Sequence, residues 1–178
     1  MNWRKHQILT PPDDDEVALM DPSELMEIHR IYHEAIENAD KDPFRYGFRL
    51  PHWEKAEEQL QEVNEILALG GYRSGKTSWG SYCVVKAAVE NPKSEIFCFA
   101  QTSEVSIRQQ QSAVWGWLPA ELRSKQTSEN AYISYTKKNG FTDNSLILPN
   151  GSQIIFKTYS QYQNNPTILE GAELGSRN

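Results

Sequence analysis

Residues 70–77 read Gly-Gly-Tyr-Arg-Ser-Gly-Lys-Thr, which fits the phosphate-binding pattern G-x-x-x-x-G-K-[ST] at every fixed position. Each residue type has a chemical reason. Small residues let successive backbone N–H groups turn inward and form a nest for an anion such as the β-phosphate of a nucleotide. Lys76 is long enough to reach the β- and γ-phosphates, and the Thr77 hydroxyl is of the type that ligates Mg²⁺. The helix that must follow aims the positive end of its dipole at the same place. ATP with Mg²⁺ is therefore the expected ligand. Its contacts are expected from Gly70, Gly71, Tyr72, Arg73, Ser74, Gly75, Lys76, Thr77 and Ser78, with Thr77 on the metal and Lys76 among the catalytic groups.

Two arginines extend the set. Arg73 lies inside the loop, close enough to the phosphates to stabilise charge that develops during transfer; the blander reading is a surface residue preceding Ser74-Gly75. Arg108 is a candidate trans-acting finger, since a positioned arginine can supply a large part of phosphoryl-transfer catalysis; the alternative is a solvated helix arginine. The four histidines show no metal-ligand spacing, and no Ser–His or Cys–His nucleophile is suggested. Asp13-Asp14-Asp15-Glu16 lacks the glycine and closing glutamate of a calcium loop and reads as a solvated turn before a helix.

The motif requires a strand directly before it and a helix directly after it. Residues 65–69, Glu-Ile-Leu-Ala-Leu, form a short apolar run bounded by Gly70-Gly71, as expected of a strand buried in a parallel sheet. A helix is predicted over 77–89, ending near Asn91-Pro92, then a second buried-type strand over 95–100. Another helix is predicted over 103–117, stopped at Leu118-Pro119. Apolar runs at 132–135, 145–148 and 154–156 are separated by Asn139-Gly140 and Pro149-Asn150-Gly151, both hairpin-turn signals. The fold class is α/β: a P-loop NTPase-type parallel sheet flanked by helices, with an antiparallel hairpin addition. Upstream, residues 1–50 read as an irregular and helical lead-in to the domain at 51–178. Asp21-Pro22-Ser23-Glu24 starts a helix over 22–39. Asp42-Pro43 breaks it, an aromatic-rich connector follows over 44–53, and a charged helix is predicted over 52–62. Trp115 and Trp117 are expected in the core rather than on a DNA-stacking platform.

With 178 residues, 38% hydrophobic and 24% charged, the chain suits a soluble globular protein with a sizeable core. No apolar run approaches the roughly 20 residues of a membrane span, and the N-terminal residues lack a secretory signal. Cys83 and Cys98 have no framework spacing and are expected as reduced core thiols. A net charge of −6 argues against strong binding of bare DNA by this chain alone, because such affinity comes mainly from Lys and Arg on phosphates.

The string Leu67-Ala68-Leu69 followed by the loop to Thr77 resembles the ATP-binding loop of the large terminase subunit of tailed phages, which often has an arginine within it. Downstream, Ser106-Ile107-Arg108-Gln109-Gln110 with Trp117-Leu118-Pro119 is similar to that family's next helix. Residues 150–159 resemble the hairpin before its hydrolytic strand. Leu169-Glu170-Gly171-Ala172-Glu173 is similar to the stretch leading into that strand, with Glu170 in place of the usual glutamine. The resemblance spans roughly residues 50–175 and implies a motor ATPase that translocates double-stranded DNA into a capsid in the host cytoplasm. It further implies a portal protein and a small terminase subunit as partners, a ring homo-oligomer, and a C-terminal nuclease. By the same resemblance Lys76 and Thr77 contact phosphate and Mg²⁺, and Arg73 senses the γ-phosphate. Where the family often has an adenine-reading glutamine, Pro51-His52-Trp53 stands here, with Gln59 the next glutamine; adenine could stack on Trp53, or Trp53 could be core.

A P-loop ATPase also needs a carboxylate at the end of another buried strand. No run of four apolar residues ends in Asp or Asp-Glu; Thr167-Ile168-Leu169-Glu170 is the nearest imitation. The hydrolytic strand is expected beyond Asn178, so residues 1–178 are expected to form an incomplete domain and to turn over ATP poorly. Two other readings use the same loop: another P-loop DNA translocase of helicase type, and a nucleotide-binding module that does not hydrolyse ATP.

Overall fold

The computed structural model describes residues 14–63 and 65–165. These fall into two compact units that divide between Arg49 and Leu50.

The first unit is helical. α1 (Asp14–Leu19) takes in Asp14, Asp15 and Glu16, so the acidic block runs into a helix instead of forming a turn ahead of it. α2 (Pro22–Lys41) begins as its sequence demands, with a capping box. Asp21 Oδ1 accepts from Ser23 N at 2.7 Å and Glu24 N at 3.0 Å, while Asp21 N donates to Glu24 Oε2 at 3.1 Å. These bonds, with one from the Ser23 hydroxyl, favour the charged carboxylate and hold Asp21 below the usual aspartate range. Leu25, Ile28, Tyr32 and Ala35 form a half-buried stripe at helical spacing. Asp42 then caps the short α3 (Pro43–Tyr46) and pairs with Arg45.

The second unit is an α/β body. α4 (Pro51–Gln59) docks through Trp53, which is buried, and through Glu57, which pairs with Lys86 Nζ at 3.0 Å. α5 (Lys76–Glu90) follows the glycine-rich loop, and β1 (Glu95–Ala100) comes next. The helix expected over 103–117 is present in three pieces: α6 (Ser103–Val105), a π-helical stretch (Ser106–Gln111) and α7 (Ser112–Trp117). The remaining strands are β2 (Gln126–Ser128), β3 (Ala131–Ile133), β4 (Tyr135–Thr136), β5 (Gly140–Phe141), β6 (Ser145–Ile147) and β7 (Gln153–Thr158), followed by α8 (Tyr159–Asn164).

Among the described residues the main sheet has the order β1-β7-β6-β3-β2. β1 and β7 are parallel, Glu95 opposite Gln153 and Ala100 opposite Thr158. The β6–β7, β3–β6 and β2–β3 pairs are antiparallel. β4 and β5 form a separate ribbon. The α/β class holds, and the sheet is mixed. Both turn signals fall where expected. Gly140, at φ +74°, opens β5, and Gly151, at φ +84°, lies between β6 and β7. Asn150 Nδ2 also donates to the carbonyls of Ala88 and Val89 at 2.8 and 3.2 Å, so the second turn closes the end of α5. One face of β7 is buried through Ile154, Phe156 and Thr158. Val85 and Ala88 of α5, Val114, Leu118, Leu146 and Leu148 are buried as well and belong to the core.

One predicted element is corrected. Residues 65–69 do not form a strand; they carry no regular secondary structure and are exposed, with Leu67 80% and Leu69 84% accessible. A parallel strand has no local source of stability and exists only through a neighbour that takes its backbone bonds. Among the described residues no strand pairs with this one. The stretch 169–173, with Glu170, and the N-terminal residues through Asp13 lie outside the described residues.

Candidate nucleotide site

The loop is shaped by its own backbone. Gly75 occupies the N-cap position of α5 at φ +80°, ψ 4°, a left-handed conformation that glycine adopts without steric cost. Its carbonyl accepts the first helical bond, from Trp79 N at 2.9 Å. Arg73 is also left-handed, at φ +62°, which is uncommon for a residue with a side chain. The bend this creates is closed by a weak bond from Ser74 N to Gly71 O at 3.4 Å.

Lys76 folds back over that bend. Its Nζ donates to Gly70 O at 2.6 Å, Gly71 O at 2.8 Å and Ser74 Oγ at 3.0 Å. The ammonium therefore stands at the mouth of the loop, held by neutral acceptors among the described residues. A Cβ on Gly70 would lie 2.7 Å from Ser74 Oγ and 3.6 Å from Lys76 Nζ, so a side chain there would displace the Ser74 hydroxyl; one on Gly71 would meet nothing within 4 Å. The first turn of α5, with Lys76 and Thr77 exposed, adds backbone N–H groups that have no partner inside the helix. This donor set of a cation, helix-end amides and a hydroxyl is chemically matched to a polyphosphate with its divalent ion.

The other expected residues are placed as follows. Tyr72 is 93% exposed, with the Arg73 guanidinium 5.5 Å from its ring centre, so Arg73 lies against its neighbour at the surface. The Ser78 hydroxyl accepts from Trp117 Nε1 at 3.0 Å and is thus tied to the protein body. Arg108 lies in the π-helical stretch, its side chain 75% exposed, and pairs with Glu104 Oε1 at 3.0 Å. Trp53 is 5% exposed and sits beneath Gly75. Trp115 and Trp117 are half-buried; Trp115 stacks on Tyr135 with centroids 4.7 Å apart, and Trp117 meets Trp53 and Tyr82 edge-on.

Reasoning from sequence did not reveal the cleft of about 250 Å³ beside the loop, lined by Trp53, Gln59, Leu67, Ser74, Lys76 and Trp79 among others. The indole N–H groups of Trp53 and Trp79 are buried and meet no acceptor among the described residues. No linear pattern marks such a cleft, because its walls come from α4, the segment 66–69 and α5. No group of three or more His, Cys, Asp or Glu residues suited to a metal occurs among the described residues. Cys83 and Cys98 are half-buried and not joined in a disulfide, and burial pushes the Cys98 thiol up to about 12. No helix among the described residues is long and apolar enough to cross a membrane.

Residues 67–172 match the terminase large subunit, T4likevirus-type, N-terminal family. The matched region takes in the loop, Arg108 and the strands β1 to β7. Comparisons with curated proteins and with solved structures gave no significant match. The match covers more than half of the 178 residues, and the chain belongs to the terminase large subunit family, in its T4likevirus-type N-terminal part.

Proposed function

We propose that this chain is the ATP-binding part of a viral DNA-packaging motor, in which ATP hydrolysis drives double-stranded DNA into a capsid. Membership of the terminase large subunit family supports a role in packaging. The observation that carries the nucleotide reading is the complete phosphate-binding loop, with Gly75 left-handed at the head of α5 and the Lys76 ammonium at its mouth. The backbone amides from Gly71 to Thr77 would hold the phosphates, and Thr77 would ligate Mg²⁺. Lys76, Arg73 and, from a neighbouring subunit, Arg108 would stabilise the charge that builds on the transferred group. A portal protein, a small terminase subunit and further copies in a ring complete the proposed assembly.

Within residues 1–178 no apolar run ends in the acidic pair that would hold the metal and orient water. Slow hydrolysis by these residues alone follows, since loss of such positioning costs on the order of a hundredfold or more in rate. That same observation favours a second reading, a nucleotide-binding module that works by docking. One experiment separates them: titrate Mg²⁺ and ATP by calorimetry and follow phosphate release in the same samples. Binding is expected in the parent chain and lost for the most part in Lys76→Ala. Equal affinity in the two refutes the site. Binding with no release, in residues 1–178 and in longer versions alike, selects the module.

A further inference from the structure

Two indoles from outside the loop hold it from behind. Trp53 of α4 is 5% exposed, and a Cβ on Gly75 would lie 2.9 Å from its Cζ2 and 3.3 Å from its Cε2. Leu50 Cδ1, at 3.1 Å from the same point, completes that wall. Trp117, the last residue of α7, meets Trp53 edge-on with centroids 6.2 Å apart and Tyr82 of α5 at 5.2 Å. Its Nε1–H donates to Ser78 Oγ at 3.0 Å. The residue before Lys76 and the residue after Thr77 are thus each held by one of two touching indoles.

We infer that Trp53 and Trp117 are positioning residues for the loop: Trp53 fixes the left-handed backbone of Gly75, and Trp117 fixes the first turn of α5 through Ser78. Glycine at Gly75 is needed for its φ, but the same freedom leaves it many other conformations. An anion nest works only if its N–H groups already converge. Something outside the glycine must select the conformation, and a rigid, close-packed ring does so because interiors yield little to compression. The Trp53 indole N–H is buried without an acceptor among the described residues, so packing of the ring, and no hydrogen bond of its own, accounts for its place. The arrangement also links the loop to α4 and to α7, elements that lie on either side of it in sequence.

The effect on affinity rests on the nucleotide reading given above; the effect on Gly75 does not, and the test separates the two. In ¹⁵N-labelled protein without ligand, Trp53→Ala is expected to displace the Gly75 and Lys76 amide resonances. It should also raise amide exchange at Trp79, whose N–H donates to Gly75 O, by about tenfold, the scale of one lost packing or hydrogen-bond contact. Trp53→Phe, which keeps a ring against Gly75, should restore both. Trp117→Phe keeps its ring but loses the donor, so it should affect Ser78 and spare Gly75. Calorimetry with Mg²⁺ and ATP should show about tenfold weaker binding for Trp53→Ala and no more than about threefold for Trp53→Phe. A folded Trp53→Ala with unchanged Gly75 and Lys76 resonances overturns the inference. If Trp53→Ala does not fold, Trp53→Leu and Trp117→Phe are read by the same criteria. A parent chain that binds no ATP refutes the nucleotide reading, and the ligand-free amides then decide the positioning role alone.

Discussion

Gly140→Ala should destabilise the second unit far more than an exposed hairpin substitution normally would. A methyl group at this position would lie 2.0 Å from Gln111 Oε1, 2.9 Å from its Cδ and 3.2 Å from Ile107 Cγ1, on a backbone at φ +74°. Gln111 cannot simply swing away. It is fully buried; its Oε1 accepts from Phe141 N at 2.7 Å, and its Nε2 donates to Ser106 Oγ and Asn144 Oδ1, each at 3.1 Å. The left-handed φ costs an alanine about 1 kcal/mol, and stranding the buried Phe141 N–H costs about 1–3 kcal/mol. The total is about 2–4 kcal/mol, or a fall in Tm of roughly 6–12 °C for a unit of this size. Thermal unfolding followed by circular dichroism measures it. The decisive comparison is with Gln111→Ala, which removes the obstacle: in that background Gly140→Ala should cost only the conformational part, about 1 kcal/mol. Additive losses, agreeing within about 0.5 kcal/mol, would refute the proposed clash.

Three further outcomes are expected. In the assembled motor, Arg73→Ala should reduce hydrolysis much more than ATP binding, as for a group acting on transition-state charge; an equal loss in steady-state turnover and in calorimetric affinity would make it a ground-state phosphate contact. Given its net charge of −6, the isolated chain should bind duplex DNA weakly near physiological salt, and sub-micromolar affinity in a salt titration would contradict this. Cys98, pushed up to about 12 by burial, should react with iodoacetamide at least about a hundredfold more slowly in native protein than in urea. Because its folded pKa is raised, the stability it contributes is intact below the unfolded thiol's value and falls as pH rises toward 12; rapid native labelling at pH 8 would refute the burial.

Features governed by short-range chemistry were legible in the sequence. Asp21-Pro22-Ser23-Glu24 specifies a capped start, and α2 begins there with both halves of the box made. Residues 95–100 are flanked by breakers, and β1 has those bounds. The loop motif calls for a helix directly after it, read from sequence over 77–89, and α5 spans Lys76–Glu90. Features that depend on distant partners were not legible. Nothing local announces the π-helical stretch: its widened turn accommodates Gln111 reaching Phe141 N, thirty residues away, and Gln110 reaching Phe99 O at 2.7 Å. The apolar run at 65–69 has the composition of a buried strand, yet composition cannot supply the neighbour that would pair it. Trp53 could be read as a base-stacking ring or as core, and only the packing around Gly75 places it behind the loop.

The parallel pairing of β1 with β7 has a consequence for how the chain acquires its shape. Ser94 and Ser152, at the start of that pairing, are bonded across 58 positions of sequence, and the intervening strands join the sheet through β7. Contacts so distant in sequence slow folding, because the loop between them must be ordered before the pairing stabilises anything. During synthesis, β1 emerges well before the partner on which its backbone bonds depend. Until Thr158 has left the ribosome, the backbone of β1 from Glu95 to Ala100 lacks the strand that pairs with it, and it is in that interval that a nascent chain of this topology is most exposed to misassembly.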